Sequence, residues 1–411
     1  MTQRYDTYKD SGVQWLGEIP GHGGCVFINR LFNIKAGGDV KPELYADKKD
    51  ENHPFPVYTN TKSADDVYAY TSLATCPSNS ITVTGRGEVG HAIFRETPYD
   101  AIVRLLSLTP KSNIICKFYA YFIDTVIPFS SDSAAIGQLS AVQIKQKHVT
   151  LPPLSEQRSI VSFLDAKCGK IDEWVTKKQK EVEHLQELKQ RVIADAVTRG
   201  LNPHVKMKAT NIPWLKEIPE HWECVKLKMF CQDNKEKNKG NIESCVLSLS
   251  YGNIIVKKNV NFGLVPENYD SYQIVNPGNI ILRLTDLQND HKSLRTGLVK
   301  NRGIITSAYV GLIVKNMNSE YTQLILHSYD VMKVFYGMGG GLRQSMSYTD
   351  IANVYIPVPP LSEQKQIVSY LDTKTSQIDK LIAHITKEIE CIKEYKQRLI
   401  SDVVTGQIKV C

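Results

Sequence analysis

Two stretches of this chain carry side chains whose types and spacing suit recognition chemistry. In the first, Ser80-Ile81-Thr82-Val83-Thr84 reads as a β-branched strand that runs into Gly85-Arg86-Gly87-Glu88-Val89-Gly90 and resumes at His91-Ala92-Ile93-Phe94. Glycines at alternate positions let a backbone approach something closely, and Arg86 projects from the turn they make. The bland alternative is a glycine-rich hairpin with a solvated arginine. In the second, the turn Asn276-Pro277-Gly278-Asn279 and the strand Ile280-Ile281-Leu282 lead to Arg283-Leu284-Thr285-Asp286-Leu287-Gln288. A polar, basic stretch follows from Asn289 to Lys300, with His291, Lys292 and Arg295. Earlier, Leu249-Ser250-Tyr251-Gly252-Asn253 precedes Lys257-Lys258. Arginine, glutamine, lysine and tyrosine on loops off β-structure suit phosphate and base-edge contacts, although a charge run is also what an ordinary solvated loop looks like.

Sequence patterns for catalysis are missing. No helix-opening Gly-Lys-Ser/Thr follows the glycine loop, so a nucleotide P-loop is excluded. The cysteines, nine in number, form no C-x-x-C pair, which removes a zinc reading and points to reduced thiols. The Asn/Asp-Pro-Pro-aromatic pattern that holds an adenine amine for methylation is absent, because both Pro-Pro pairs are followed by leucine. Asp286, Asp290 and Lys292 resemble a nuclease cluster only in generic spacing. The chain reads as a binder.

The elements that position these loops are announced by an internal repeat, which fixes architecture before anything else. Pro152-Pro153-Leu154-Ser155-Glu156-Gln157 returns as Pro359-Pro360-Leu361-Ser362-Glu363-Gln364. The copies run in register to Thr198 and Thr405, sharing Ile160-Val161-Ser162 with Ile367-Val368-Ser369 and Lys189-Gln190-Arg191 with Lys396-Gln397-Arg398. A weaker echo precedes each: Trp15-Leu16 with Glu18-Ile19-Pro20, and Trp214-Leu215 with Glu217-Ile218-Pro219. The order is globule, helix, globule, helix, with boundaries expected at 1–151, 152–201, 202–358 and 359–411. The globules read as mixed α/β with short strands, so the fold class is α+β.

Each Pro-Pro stops a strand, Ser155 or Ser362 is placed to cap a helix, and the acid that follows suits the helix dipole. In the second copy Ile378, Ile382, Ile385, Ile389, Ile392, Leu399 and Val403 fall at the alternating fours and threes of a coiled-coil seam. The first copy follows with Ile171, Val175, Val182, Leu185 and Val192, interrupted by Lys178 where its twin has Ile385. A lone helix of ~60 Å, at 1.5 Å per residue, would leave that seam in water. The simplest partner is the other copy, in an antiparallel coiled coil with a pseudo-two-fold axis that would hold the globules apart like a ruler. The run Gly337-Met338-Gly339-Gly340-Gly341, with its counterpart Ala135-Ile136-Gly137-Gln138, is expected to be a joint between globule and helix.

A chain of 411 residues suits two domains rather than one core. It has 50 basic against 43 acidic residues, a modest excess that permits a nucleic-acid partner. No apolar run approaches the ~18–20 residues of a membrane helix, and Met1-Thr2-Gln3-Arg4-Tyr5-Asp6 lacks a signal-peptide core. A cytoplasmic location without membrane contact is expected.

The helix-start motifs, the two Trp-Leu-x-Glu-Ile-Pro entries and the alternation of globules and helices together resemble the specificity subunit of bacterial type I restriction–modification enzymes. The resemblance spans essentially the whole chain, tightly in the repeats and loosely in the globules. It implies two target-recognition domains, each reading one part of a bipartite double-stranded DNA site. The helices would dock two methyltransferase subunits, which restriction/translocase subunits join. S-adenosylmethionine, ATP and magnesium would belong to those partners, leaving this chain without a cofactor or a catalytic residue. One departure is visible: Glu220-His221-Trp222-Glu223 follows the family pattern, whereas the first copy has Gly21-His22-Gly23-Gly24, so its first strand is expected to pack differently. Given the resemblance, the DNA-contacting candidates are Thr84, Arg86 and Glu88 with Tyr58, Asn60 and Lys62 in the first domain. In the second they are Tyr251, Lys257, Arg283, Asp286, Gln288, Arg295 and Arg343. The runner-up is a coiled-coil scaffold that organises proteins without reading DNA.

Overall fold

A computed structural model describes residues 4–129, 138–257, 268–287, 294–338 and 345–410. Two compact units emerge, Met1–Gln179 with Thr386–Cys411, and Lys180–Ile385. The long helices, Leu154–Arg199 of 46 residues and Leu361–Val404 of 44, each begin in one unit and end in the other.

In the first unit an antiparallel sheet runs in the order Phe32–Ala36, Leu106–Pro110, Ser80–Val83, Ala92–Arg95. Strand alternation sends Ile81, Val83, Phe32, Ile34, Leu106 and Leu108 to one face. There the helix Cys116–Thr125 buries Phe118, Tyr119 and Phe122 with them in one core. Ser80 and Thr82 take the opposite face. It is covered too: the Ser80 hydroxyl donates to Tyr99 at 3.1 Å, and Arg95 donates to the Thr82 hydroxyl at 3.1 Å. The second unit repeats the layout with Cys231–Asp233, Val310–Val314, Ile280–Leu282 and Thr296–Leu298, all antiparallel, and the helix Ser319–Val331.

Each unit holds its own antiparallel helix pair. Ile160, Leu164 and Cys168 share the first core with Leu399, Ile400 and Val403, while Ile193, Ala196 and Val197 share the second with Ile367, Val368 and Leu371. Lys396 reaches Asp172 at 2.7 Å in the first unit, and Lys189 reaches Asp379 at 2.7 Å in the second. Asp172 and Asp379 are one repeat position, as are Lys189 and Lys396. Each unit therefore makes the other's ion pair with the copies exchanged, the reciprocity of an isologous contact. Exposed pairs of this kind contribute little energy; they mark the register. The seam residues Val175, Ile385, Ile389, Leu399 and Val403 are buried as expected. Lys178, the interruption, lays its ammonium 5.9 Å from the Trp174 ring.

The repeated hexapeptide ties parts together rather than capping with serine. The helices start at Leu154 and Leu361, so Ser155 and Ser362 fall inside the first turn, which corrects the expected cap. The glutamine does the joining: Gln157 accepts the Ile115 N–H at 3.0 Å and donates to the Pro152 carbonyl at 2.8 Å. Gln364 accepts the Asn318 N–H at 2.9 Å and donates to the Pro359 carbonyl at 2.9 Å. Ile115 and Asn318 immediately precede the two domain helices, so each glutamine locks a long helix to a domain helix, end to end. The glutamate grips the entry strand. Glu156 is bonded by His22 at 2.8 Å and by the Tyr5 hydroxyl, Glu363 by His221 at 2.9 Å and by the Trp222 indole at 3.1 Å.

The expected difference at the first entry strand is also corrected. Gly24–Phe27 pairs with His148–Leu151 just as Glu223–Lys226 pairs with Tyr355–Val358. The histidine is kept in both copies. What changes is the second donor to the glutamate, a tyrosine from upstream in place of the tryptophan.

Candidate nucleic-acid interface

The turn 84–91 joins Ser80–Val83 to Ala92–Arg95, and Asn60 organises it. The Asn60 side-chain oxygen accepts the Gly85 N–H at 2.7 Å and the Arg86 N–H at 3.2 Å, and its amide donates to the Val103 carbonyl at 2.7 Å. With most of its capacity spent on backbone, Asn60 holds the loop. Thr84 is buried; its hydroxyl donates to the Glu88 carbonyl at 2.6 Å and accepts the His91 N–H at 2.9 Å. Lys62 forms an ion pair with Glu88 across the loop. Gly85 has no room for a side chain, since a Cβ would lie 2.7 Å from the Arg104 carbonyl oxygen. Gly90 combines a φ of 90° with a Cβ direction that meets the Phe129 ring. The product is a tightly braced loop with Arg86 exposed at its apex.

In the second unit the turn after Ile280–Leu282 is braced from inside. Arg295 is fully buried; it donates to the carbonyls of Arg283 at 3.1 Å, Thr285 at 2.7 Å and Asp286 at 3.2 Å. The expected DNA contact by Arg295 is therefore corrected, because its fork of donors is consumed in folding the turn. Tyr58 is corrected for a similar reason: it is buried, with the Arg95 guanidinium 3.5 Å from its ring centre. Arg283 and Asp286 are half-buried on the turn, Asp286 with a φ of 57°. Gln288 and Arg343, like Asp290, His291 and Lys292, lie outside the described residues. Tyr251 stands at the tip of the hairpin Leu247–Ser250 and Asn253–Val256, 86% exposed with a φ of 45°, and Lys257 follows, exposed.

These two turns are one loop in two copies. The Gly85 carbonyl accepts the Leu139 N–H at 2.8 Å, and the Leu284 carbonyl accepts the Met346 N–H at 2.8 Å. Leu139 and Met346 each precede a serine at the head of a short helix, Ser140 before Ala141–Lys145 and Ser347 before Tyr348–Ile351. The joint expected at the glycine-rich run falls on residues 339–341, and its counterpart on 135–137, which lie outside the described residues. Between Met346 and the long helix stand the short helix Tyr348–Ile351 and the strand Tyr355–Val358.

Sequence reasoning missed Val103 and Arg104. Both adopt left-handed backbone, with φ of 53° and 59°, and a β-branched valine there is a true outlier. Asn60 secures it on one side, and the Val103 N–H donates to the Gly38 carbonyl at 2.8 Å on the other. The strain places exposed Arg104 beside the Arg86 loop, where its carbonyl closes over Gly85. A lone cation inside Ala101-Ile102-Val103-Arg104-Leu105-Leu106 was the available signal.

Among the described residues no helix is long and apolar enough to cross a membrane, and no group of three or more His, Cys, Asp or Glu side chains is placed to hold a metal ion. Two segments, residues 26–184 and 219–391, match the family described as the type I restriction modification DNA specificity domain. The chain is 27% identical over 326 residues to the putative type I restriction enzyme MjaX specificity subunit of Methanocaldococcus jannaschii, covering 75% of this chain and 72% of that one. It is 22% identical over 311 residues to the EcoBI specificity subunit of Escherichia coli, covering 69% and 63%. Similarity to the putative type I specificity subunit S.MpnORF89P of Mycoplasma pneumoniae, 29% identical, spans 32% of this chain and 39% of that relative. A solved structure titled for the assembly and conformational transition of the type I R-M system shares the fold, with a TM-score of 0.67, 13% identity, and coverage of 94% of this chain and 98% of that one.

Proposed function

The chain belongs to the type I restriction–modification DNA specificity family, and from that premise we propose that it reads an asymmetric, bipartite DNA site, one part through the corresponding loop of each unit. The observation that carries this is a shared scaffold with unshared tips. The two loops hang from matching strands and are held by matching backbone bonds, yet Thr84-Gly85-Arg86-Gly87 and Arg283-Leu284-Thr285-Asp286 agree at no matched position. Palindromic sites mirror identical protein halves, so unlike tips call for unlike half-sites. In the first unit the contacts fall to Arg86, Arg104, Lys62 and Glu88, with Thr84 and Asn60 as support. In the second they fall to Arg283, Asp286, Tyr251 and Lys257.

The chain supplies recognition, and partner methyltransferase and restriction/translocase subunits supply S-adenosylmethionine, ATP and magnesium chemistry in the cytoplasm. The long helices offer those partners a face outside their seam. Phe163 in the first unit and Tyr370 in the second occupy one repeat position, each with a lysine four residues on, Lys167 at 5.9 Å and Lys374 at 6.0 Å. Leu188 and Tyr395, again one repeat position, and Leu381 are exposed on the same two helices. Apolar groups repeated in this way suit two copies of one partner. Competition between the cognate duplex and duplexes altered in either half, using the complex purified with its partners, tests the reading. Equal tolerance of changes in both halves would refute it and favour the scaffold.

A further inference from the structure

His91 ends the Arg86 loop, and its imidazole is held between two groups that can only accept. Nδ1 lies 2.5 Å from Asp124 Oδ1 on the helix Cys116–Thr125, and Nε2 lies 2.8 Å from the Lys62 carbonyl oxygen. A neutral imidazole has one N–H; two acceptor partners require both nitrogens to carry protons. The same Asp124 oxygen accepts the Ala92 N–H at 3.1 Å, so the carboxylate is tied to the strand that leaves the loop. We propose that His91 is a positioning residue, an imidazolium that clips the 84–91 loop to the domain helix and to the Lys62 segment, and so makes recognition of the first unit's half-site sensitive to alkaline pH. This rests on reading that loop as a DNA contact.

The surroundings fit. The hydrogen bond with Asp124 raises the His91 pKa above its ordinary value, against an opposing contribution from burial. The other acids around the same cavity are Glu96 and Asp172, and Glu88 faces Lys62 across the loop. The cations there are Lys62, Lys117, Arg95 and Lys396, and Tyr58 and Tyr121 are the remaining titratable groups. A raised folded-state pKa means the clip is complete below the unfolded value of about 6.5 and is lost as pH rises through the higher folded value. On deprotonation the bond to Asp124 persists as the charge-assisted one. Nε2 then turns a lone pair toward the Lys62 carbonyl, and that tether opens. In the second unit Arg295 and, among the described residues, no histidine braces the loop, so that half supplies an internal control.

The test measures binding of the partner-assembled complex to the cognate duplex, and to duplexes altered in one half, from about pH 6 to pH 9. Discrimination at the first unit's half-site should fall about tenfold as pH rises, the scale of one charge-assisted hydrogen bond, while the second half-site holds. H91Q should show the weakened value at every pH and no titration. A parent profile that falls equally at both halves, or an H91Q profile that titrates like the parent, would overturn the proposal. Imidazole resonances of the full chain, assigned by their loss in H91Q, read the clip without DNA: a His91 pKa at or below the ordinary value also overturns it. If altering that half-site carries no penalty in the parent at any pH while His91 still titrates high, the loop reading fails and the clip stands.

Discussion

Arg86 and Arg283 stand on corresponding loops, two positions apart in the shared register, and each should govern one half-site. Arginine makes bidentate contacts to guanine worth ~1–3 kcal/mol, whereas a phosphate contact weakens all sequences alike. R86A should therefore relax discrimination at one half and R283A at the other, read by competition at fixed salt. If both variants bind every duplex as the parent does, those side chains serve no readout. Asn60→Ala should lower affinity for the first unit's half-site alone, because it strands the Gly85 N–H, at a cost of ~1–3 kcal/mol for a buried donor, and frees the exposed Arg86 N–H to water. At this scale the sequence was only partly legible. The loops stood out through glycine spacing and strand flanks, but Arg295 looked like Arg283 on paper. Arg295 is fully buried and wrapped in three carbonyls while Arg283 is half-buried, and that difference arises only when residues 283–286 fold back on residue 295. Val103 was invisible for a related reason, since no local pattern announces a valine forced into left-handed backbone by Asn60, 43 residues away.

At the scale of elements, the hexapeptide was recognised as a boundary but its mechanism was misread. Serine before a helix is the usual cap, and local rules assign it that role. The structure gives the task to Glu and Gln because their partners, an entry strand and a domain helix, are distant in sequence. Trp222 is buried beneath Glu363, so W222A should destabilise the second unit by ~3–5 kcal/mol through the cavity alone. In the first unit the corresponding donor is the Tyr5 hydroxyl, and Y5F should cost less, ~1.5–3 kcal/mol, the range of a hydrogen bond to a charged group. Hydrogen exchange resolved by peptide separates the two units. Comparable loss of protection in both variants would mean that the two anchors are not built as described. The seams were the most legible elements, because a heptad of isoleucines such as Ile378, Ile382, Ile385 and Ile389 has few other uses.

For the molecule as a whole, assembly and readout are carried by different parts: repeated helices that agree closely, and loops that do not. Exchanging residues 202–358 for the corresponding region of a relative should transplant one half-site and leave the other. A chimera that assembles with its partners yet keeps both original half-sites would contradict that separation. The central claim, two unlike loops on one scaffold reading two unlike sequences, is met most directly by sequencing the methylated DNA of a host that carries the complex and of the same host lacking this chain. A single asymmetric motif of two short defined parts around an unspecified spacer, lost with the chain, is the result expected here. A palindromic motif, or methylation unchanged by loss of the chain despite an intact complex in the parent, would contradict it.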